Sequence, residues 1–535
     1  MKRQSLFATP EGGSYIFTFI LVTSLFLLWG FCNGMIDVMD KHFQVELNLN
    51  LSQSAWVQFA HYLGYFLVAL PAGWLASKLG YKGGIVAGLL MVALGGFWFI
   101  PATQIASFWA FLVGVCVIAA GLTFLETVAN PYATVLGPKQ YAAARINLAQ
   151  SCNGIGLVLG PIAGSMFFYS TNDQGESTGA ETLWIPYVAV AVVVLILALV
   201  FLKARVPDIN TEDDYHLDED APASEAAAAP RRRLSLGLLW VNIVVLSASV
   251  AMIGAAISTL IHPQETHVLH IILIVAGTLL AIGTIVLVAR AKSITPHSIW
   301  MHPHFSGATV TQFFYVAAQA GIFGFFINYL TVSKAGISQV PAIPAGWETF
   351  MNQLALSSGP LQKWLMGWFE ATSAGLLHLS DKGAANLASV AFICFLAGRF
   401  IGALIMKKVP AHKVLAVFGF LNVVMCGLVF AQLGWISVVS VFLCYFFMSI
   451  MFPTIFALGI FGLGRRAKKA AAFIVMAIMG GAIMPKLMGH VADVHGISHS
   501  FAIPLLCFAI VGIYAFFWSH LSNSAEAGAV KLAGH

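Results

Sequence analysis

The chain has 535 residues, 59% of them hydrophobic and only 9% charged; soluble domains carry about 25% charged residues, so an ordinary globular protein is excluded. The formal net charge of +5 requires no anionic partner, because membrane proteins concentrate Lys and Arg in cytoplasmic loops, and no basic stretch interleaved with aromatics points to nucleic acid. The seven cysteines are scattered through apolar runs without a CxxC pair, which predicts neither a metal site nor a disulfide framework.

Apolar runs of about 20 residues, each long enough to cross a bilayer core of about 30 Å, recur along the chain. The backbone must satisfy its own hydrogen bonds in hydrocarbon, so these runs are helices and the expected fold is an all-α polytopic membrane protein. Lys2 and Arg3 precede the first run, which is too long for a signal peptide and lacks a small-residue cleavage site before Trp29 and Asp37; it reads as an uncleaved first span. The spans fall at 15–38, 54–75, 84–101, 108–136, 147–168 and 184–203. Pro207 to Pro230 is acidic and ends in an alanine run, a composition that buries no core and predicts a disordered linker. Arg231, Arg232 and Arg233 mark the next membrane border. Two spans follow at 236–261 and 268–290, and then six more at 306–331, 387–406, 413–431, 435–461, 471–492 and 500–518.

With the N-terminus inside, all of the 27 Lys and Arg except Lys41, Lys334, Lys363, Lys382 and Lys486 fall on cytoplasmic segments, span ends or the tail, as the positive-inside bias requires. Both termini are therefore expected in the cytoplasm. The domains are expected as a six-helix half (1–206), an acidic linker ending in the Arg cluster (207–233), an inserted hairpin (234–295) and a second six-helix half (296–535) with a long periplasmic loop (332–386). In that loop Trp347, Phe350, Leu361, Trp364, Leu365 and Trp368 recur at helix-like intervals, which predicts interfacial amphipathic helices with tryptophans at headgroup depth. Gly73 to Lys82 and Gly398 to Lys413 read as basic, glycine-bearing turns at the same place in each half. Parallel six-span halves with such turns resemble the major facilitator transporters.

Ionisable residues inside spans are costly and are functional-site hypotheses by default. Glu126 lies midway through the fourth span in an otherwise apolar run, and Asp37 ends a run in the first. Lys486 and Asp493 lie in or at the end of the eleventh core span, and Arg145 at a helix start; Asp40 and Lys41 read as solvated border groups. Desolvation favours the neutral form of a carboxyl group, which lets such a group take up and release a proton near neutral pH. Packing accounts for a buried carboxylate as well, if neighbours hydrogen-bond it. Gln150 and Asn153 lie three apart on one face of the fifth span, and Gln312, Tyr315 and Gln319 three and four apart on one face of the seventh. Amides donate and accept, which suits an uncharged polyhydroxylated ligand, and Trp29, Phe124 and Phe452 offer apolar surface for a sugar ring. Gly156, Gly160 and Gly164 repeat every four residues, a spacing that lets helices approach closely.

Several strings make the resemblance specific: Phe26-Leu-Leu-Trp29-Gly-Phe-Cys-Asn33 with Asp37, Leu125-Glu126-Thr-Val-Ala-Asn130-Pro131 through Gly137-Pro138, Arg145-Ile-Asn147-Leu-Ala-Gln150-Ser-Cys-Asn153, and Ser449-Ile-Met-Phe-Pro453-Thr454 through Gly459-Ile. They resemble the fucose–galactose–glucose:proton symporter family of the major facilitator superfamily, over all twelve core spans. The resemblance implies a proton-coupled monosaccharide symporter working by alternating access in a bacterial inner membrane, with no cofactor beyond the coupling ion and no enzymatic activity. It carries the coupling carboxylates onto Asp37 and Glu126, and the sugar ligands onto Asn33, Gln150, Asn153, Gln312, Tyr315 and Gln319. The chain departs from fucose-transporting members at Gly34 and Ile36, where those have polar amides. Sodium coupling, a metabolite or drug antiporter, and a sugar sensor without flux stay open as alternatives. The expected partners are a small sugar and membrane lipid, and the expected state is a monomer.

Overall fold

The computed structural model describes Phe7 and residues 13–46, 49–105, 107–137, 142–168, 182–204, 206–207, 225–261, 266–294, 298–331, 368–371, 377–406, 409–461, 463 and 467–522. Thirteen helical stretches among them are long and apolar enough to cross a membrane. The limb of a kinked helix before Gly80 makes the fourteenth.

The first half consists of α1 (Ile16–Glu46), the short α2 (Leu51–Ser54), α3 (Trp56–Ile105), α4 (Phe108–Val135), α5 (Ala142–Phe168) and α6 (Trp184–Lys203). Two predicted spans are joined in α3, whose only break is Gly80 at φ 69° and ψ −179°. That backbone conformation is open to glycine and strained for other residues, so the chain can turn sharply there without a loop. The α1–α5 seam is built on the glycines that the fourfold spacing singled out. A Cβ at Gly156 would collide with the Leu27 carbonyl, one at Gly160 would lie 2.7 Å from Phe31 O, and one at Gly34 2.9 Å from Leu157 O. Gly34 is therefore a helix–helix contact, with no room for an amide side chain.

The hairpin is α7 (Glu225–Ile261) and α8 (Thr266–Arg290). Contrary to the linker expectation, the alanine run before Pro230 already belongs to α7; residues 208–224 lie outside the described residues. The second half follows a single 3₁₀ turn at Ile299–Met301: α9 (Pro303–Leu330), a two-stranded antiparallel ladder of β1 (Phe369–Ala371) and β2 (Leu377–Leu379), α10 (Asp381–Met406), α11 (Ala411–Phe430), α12 (Trp435–Met448), α13 (Met451–Ile460), α14 (Ala467–Met476), a 3₁₀ turn at Ala477–Met479, α15 (Gly480–His495), α16 (Ile497–Ser500) and α17 (Ala502–Ser522). Of the loop read as amphipathic helices, 332–367 lies outside the described residues, and the described end is the β-ladder beside Trp368.

Two sequence expectations overlap in α10, a span at 387–406 and a turn starting at Gly398, and the span holds: Gly398, Arg399 and Gly402 lie inside a helix that runs unbroken to Met406. These glycines serve close packing: a Cβ at Gly398 would collide with the Phe446 carbonyl, and one at Gly402 with the Ile450 side chain. Arg399 is consequently carried into the interior, 9% exposed.

The two halves meet along α5–α10, α1–α9 and α3–α15. The end of the molecule that holds Lys41 is opposite the end that holds Gly80. The central α9 is the most enclosed span, 83% buried over its apolar window, whereas each hairpin helix is 11% buried.

Candidate functional site

Most of the polar side chains singled out in the sequence share one depth. Counting 1.5 Å per residue from the helix ends on the Gly80 side, Arg399 lies about 10 Å in, Gln150 about 12 Å, Glu126 and Gln312 about 14 Å, Asn153 about 16 Å and Tyr315 about 18 Å. Two spans of the second half break at this level, between α12 and α13 and at the 3₁₀ turn before α15. Discontinuous helices at the midplane are where membrane carriers expose main-chain groups to a ligand.

In the first half, Glu126 is 3% exposed. Both of its carboxylate oxygens are buried without a hydrogen-bond partner among the described residues. Its nearby company is Tyr65 of α3, on which it acts electrostatically. The Tyr65 hydroxyl accepts a 2.7 Å bond from the Trp29 indole, and Asn33 approaches the same hydroxyl. Trp29, Asn33 and Tyr65 thus form a polar edge beside Glu126, with Phe124 buried on α4. Tyr65 was not singled out in the sequence. The signal that could have found it is elementary: a tyrosine hydroxyl inside a span needs a partner. Asp37 lies on α1 one turn beyond Asn33, and its side chain lies outside the described residues.

Gln150 is bound at both ends. Its Nε2 donates to Asn130 Oδ1 at 3.1 Å, and Arg399 Nη1 of the other half donates to its main-chain oxygen at 3.1 Å and to its Oε1 at 3.4 Å. Arg399 Nε also donates to Ser449 O at 3.3 Å, at the α12–α13 break. Its guanidinium lies over the Phe395 ring, 4.9 Å from the centroid. A buried guanidinium held only by neutral acceptors is a costly arrangement, and it ties the halves together at the level of Glu126. Asn153 differs from its neighbour: its Nδ2 donates to Phe26 O at 3.3 Å, so it serves the α1–α5 seam.

In the second half, Gln312 is fully buried, and neither its oxygen nor its nitrogen has a hydrogen-bond partner among the described residues. The Tyr315 hydroxyl donates to Met448 O at 3.1 Å, and its ring meets Phe452 edge-on at 6.4 Å. Gln319 is half-buried one turn on.

Charges at the two ends do different work. Arg145 is buried and donates to Ala133 O in the last turn of α4 at 3.2 Å and to Gly137 O just beyond that helix at 3.3 Å, where a cation complements the helix dipole. At the Lys41 end, the groups expected in solvent are buried instead. Lys41 pairs with Asp381 across the halves at 3.5 Å, and Asp40 is fully enclosed beside Gly324 of the opposite half. They are covered because the starts of α3 and α10 and the end of α9 pack over the end of α1. Asp493 Oδ1 accepts from Leu51 N at 2.9 Å, Lys486 lies 3.5 Å above the Trp56 ring, and Ser165 donates to Asn386 at 3.1 Å. Each of these contacts joins one half to the other.

Two six-helix bundles that close on each other at one end and enclose a polar layer at mid-depth define a membrane transporter, not an enzyme. The chain belongs to the Major Facilitator Superfamily, which matches residues 14–361. It is 30% identical over 531 residues to the L-fucose-proton symporter of Escherichia coli K12, with 96% of each chain covered. It is 28% identical over 507 residues to the glucose/galactose transporter of Brucella abortus biovar 1 (strain 9-941), with 95% of each covered. Among solved structures, the transporter FucP in its outward conformation matches with a TM-score of 0.57 at 30% identity, over 94% of this chain and 99% of that one.

Proposed function

We propose that the protein is a proton-coupled monosaccharide symporter that works by alternating access, as a monomer, in a bacterial inner membrane with both termini in the cytoplasm. The observation that carries this reading is Glu126, a buried carboxylate without a hydrogen-bond partner among the described residues, set at the depth of the amide-bearing layer between the halves. An isolated ionised carboxylate is costly to bury, so its charge must be balanced by something that arrives and leaves with transport. A proton does this, and Asp37 one turn beyond Asn33 on α1 is the second carboxylate of the pair. The names of the relatives, an L-fucose-proton symporter and a glucose/galactose transporter, support a hexose or deoxyhexose as cargo.

In this reading Gln312, with both amide atoms unbonded, and Gln150, Tyr315 and Gln319 supply hydrogen bonds to sugar hydroxyls, and Trp29 and Phe452 supply ring surface. Gln150 has to exchange its Arg399 bond for a sugar bond, which links ligand binding to the contact between halves. Asn33 is a ligand through the Tyr65 edge, and Asn153 contributes from the α1–α5 seam. With the N-terminus inside, the Lys41 end is periplasmic, so the conformation described is closed to the periplasm.

The test is uptake into proteoliposomes across a panel of hexoses and deoxyhexoses, under an imposed pH gradient and, separately, a sodium gradient. Accumulation driven by inward-directed protons, with external alkalinisation, is the expected result. Accumulation driven by sodium alone replaces the ion, external acidification on adding substrate makes the protein an antiporter, and binding without flux makes it a sensor.

A further inference from the structure

The inserted hairpin takes no part in the polar layer, yet it is tied to the second half at definite points. Ser235 Oγ donates to Met301 O at 2.9 Å, and Asn242 Nδ2 to Ser306 O at 3.0 Å. Arg231 reaches the carbonyls of Leu521 and Ser522 at the end of α17. One terminal nitrogen of Arg232 holds the carbonyls of Ala291 and Ile294, where the hairpin leaves α8. These ties fix α7 against α9 without filling the space beyond. Between α7, α9 and the broken span at α14 runs a groove of about 150 Å³, lined by Leu239, Ile243, Leu246, Trp300, Phe313 and Met476 among others. Its polar lining groups are already satisfied: Asn242 as above, and Thr309 by the Phe305 carbonyl at 3.1 Å. The rest of the lining is apolar, so the groove favours an apolar ligand.

Its position along α7 identifies an apolar one. Leu239 and Leu246 follow Arg232 at intervals of seven, so the guanidinium stands on the groove's own face of the helix. The groove begins about 10 Å deeper than Arg232 and continues to about 21 Å, the depth range of an acyl chain below its headgroup. Arg233, Arg290 and Lys292 are exposed around the same end, and among the described residues no carboxylate forms an ion pair with them. Basic clusters at the border of a cleft between membrane helices select anionic headgroups.

We propose that this groove is a binding site for an anionic phospholipid, one acyl chain lying between α7 and the α14–α15 break, the phosphate on the Arg232–Arg233 side. The hairpin is then the outer wall of a lipid site. Because the chain touches Met476 and Phe313, next to Gln312, the lipid packs directly behind the transport layer. None of this depends on which ion or sugar the protein carries.

The experiment is native mass spectrometry of the detergent-purified full chain titrated with phosphatidylglycerol or phosphatidylcholine. One phosphatidylglycerol per chain should be retained in preference to phosphatidylcholine by about fivefold for each engaged arginine, roughly twentyfold in all. R232Q with R233Q should erase that preference. R233Q with K292Q, which alters two exposed side chains and breaks no hairpin tie, should reduce it severalfold and guards against misfolding of the first pair. L246W, which projects an indole into the groove, should displace both lipids. Equal retention of the two headgroups by the native chain overturns the proposal, as does retention that none of the variants changes, since either describes annular lipid only. A lipid-free dimer formed through the hairpin also overturns it.

Discussion

The Lys41 end and the polar layer at the depth of Glu126 are both interfaces between the same two halves, but they are finished differently. Three contacts at the Lys41 end give a charged group a partner in the opposite half: Lys41 with Asp381, Asp493 with a main-chain amide of α2, Lys486 with the Trp56 ring. In the polar layer, Glu126 and Gln312 have none among the described residues, and Arg399 leans on carbonyls and an amide. Satisfied interfaces hold a conformation. Unsatisfied buried groups cost roughly 1–3 kcal/mol each, more when charged, and persist where a ligand or ion completes them. The contrast separates a latch from a site within one interface.

Mutation of the site should break transport while leaving the latch intact. Glu126→Gln keeps the shape and removes the titrating group, so accumulation driven by a pH gradient should fall to background while counterflow exchange of sugar continues. Full pH-dependent accumulation by this variant would remove Glu126 from the mechanism. Asp37→Asn should likewise lose accumulation, and unchanged uptake would return Asp37 to a surface group.

Arg399→Gln tests whether the cation belongs to the site or the latch. It leaves carbonyls of Gln150 and Ser449 without their donor, a loss of about 2–4 kcal/mol. The melting temperature in detergent should drop, and uptake should fall with it. Arg399→Lys carries the charge but not the planar fork that spans both acceptors; it should recover stability only in part and leave KM raised. Full recovery of KM by lysine would mean that charge alone matters there. For Gln312→Ala the expectation reverses: the amide has no hydrogen-bond partner among the described residues, so stability should hold or rise slightly. The sugar loses one hydrogen-bonding side chain, raising KM about tenfold, the equivalent of roughly 1.4 kcal/mol. A destabilised variant with unchanged KM would make Gln312 a packing residue.

Much of this contrast was legible in the sequence, because the physical constraint on a membrane span is severe. Apolar runs of span length gave the helices, and a carboxylate in such a run marked Glu126 before any coordinates did. What escaped was side-chain direction. Arg399, between two glycines near a helix end, reads the same whether it reaches out to the headgroups or in to Gln150; only the continuation of α10 to Met406 decides. Asp40 and Lys41 looked solvated because the segments that cover them come from about 15 to 340 residues further along the chain, and such long-range packing leaves no local pattern. Asn153 and Gln150 share one helix face, yet one spans to the α1 backbone and the other to Asn130 and the opposite half. Spacing fixes the face of a helix, whereas the partner is set by what packs against it.

The smallest expected effect is at the latch itself. The Lys41–Asp381 pair is partly enclosed, its side chains 11% and 26% exposed, and a pair of that kind contributes on the order of 1 kcal/mol. Lys41→Ala should therefore leave sugar affinity and the melting temperature nearly unchanged. What it should alter is the balance between conformations, by a factor of about five toward opening at the Lys41 end. A cysteine placed at Asn328, which is buried near that end, reads this out through its rate of modification by a membrane-impermeant thiol reagent added from the Lys41 side. The rate should rise about fivefold in the Lys41→Ala background, and Asp381→Ala should give the same increase without adding to it, because both changes remove one bond. Additive increases would mean that each residue holds the closed end through a different partner, and the contrast between a paired end and an unpaired middle would then rest on Asp493 and Lys486 alone.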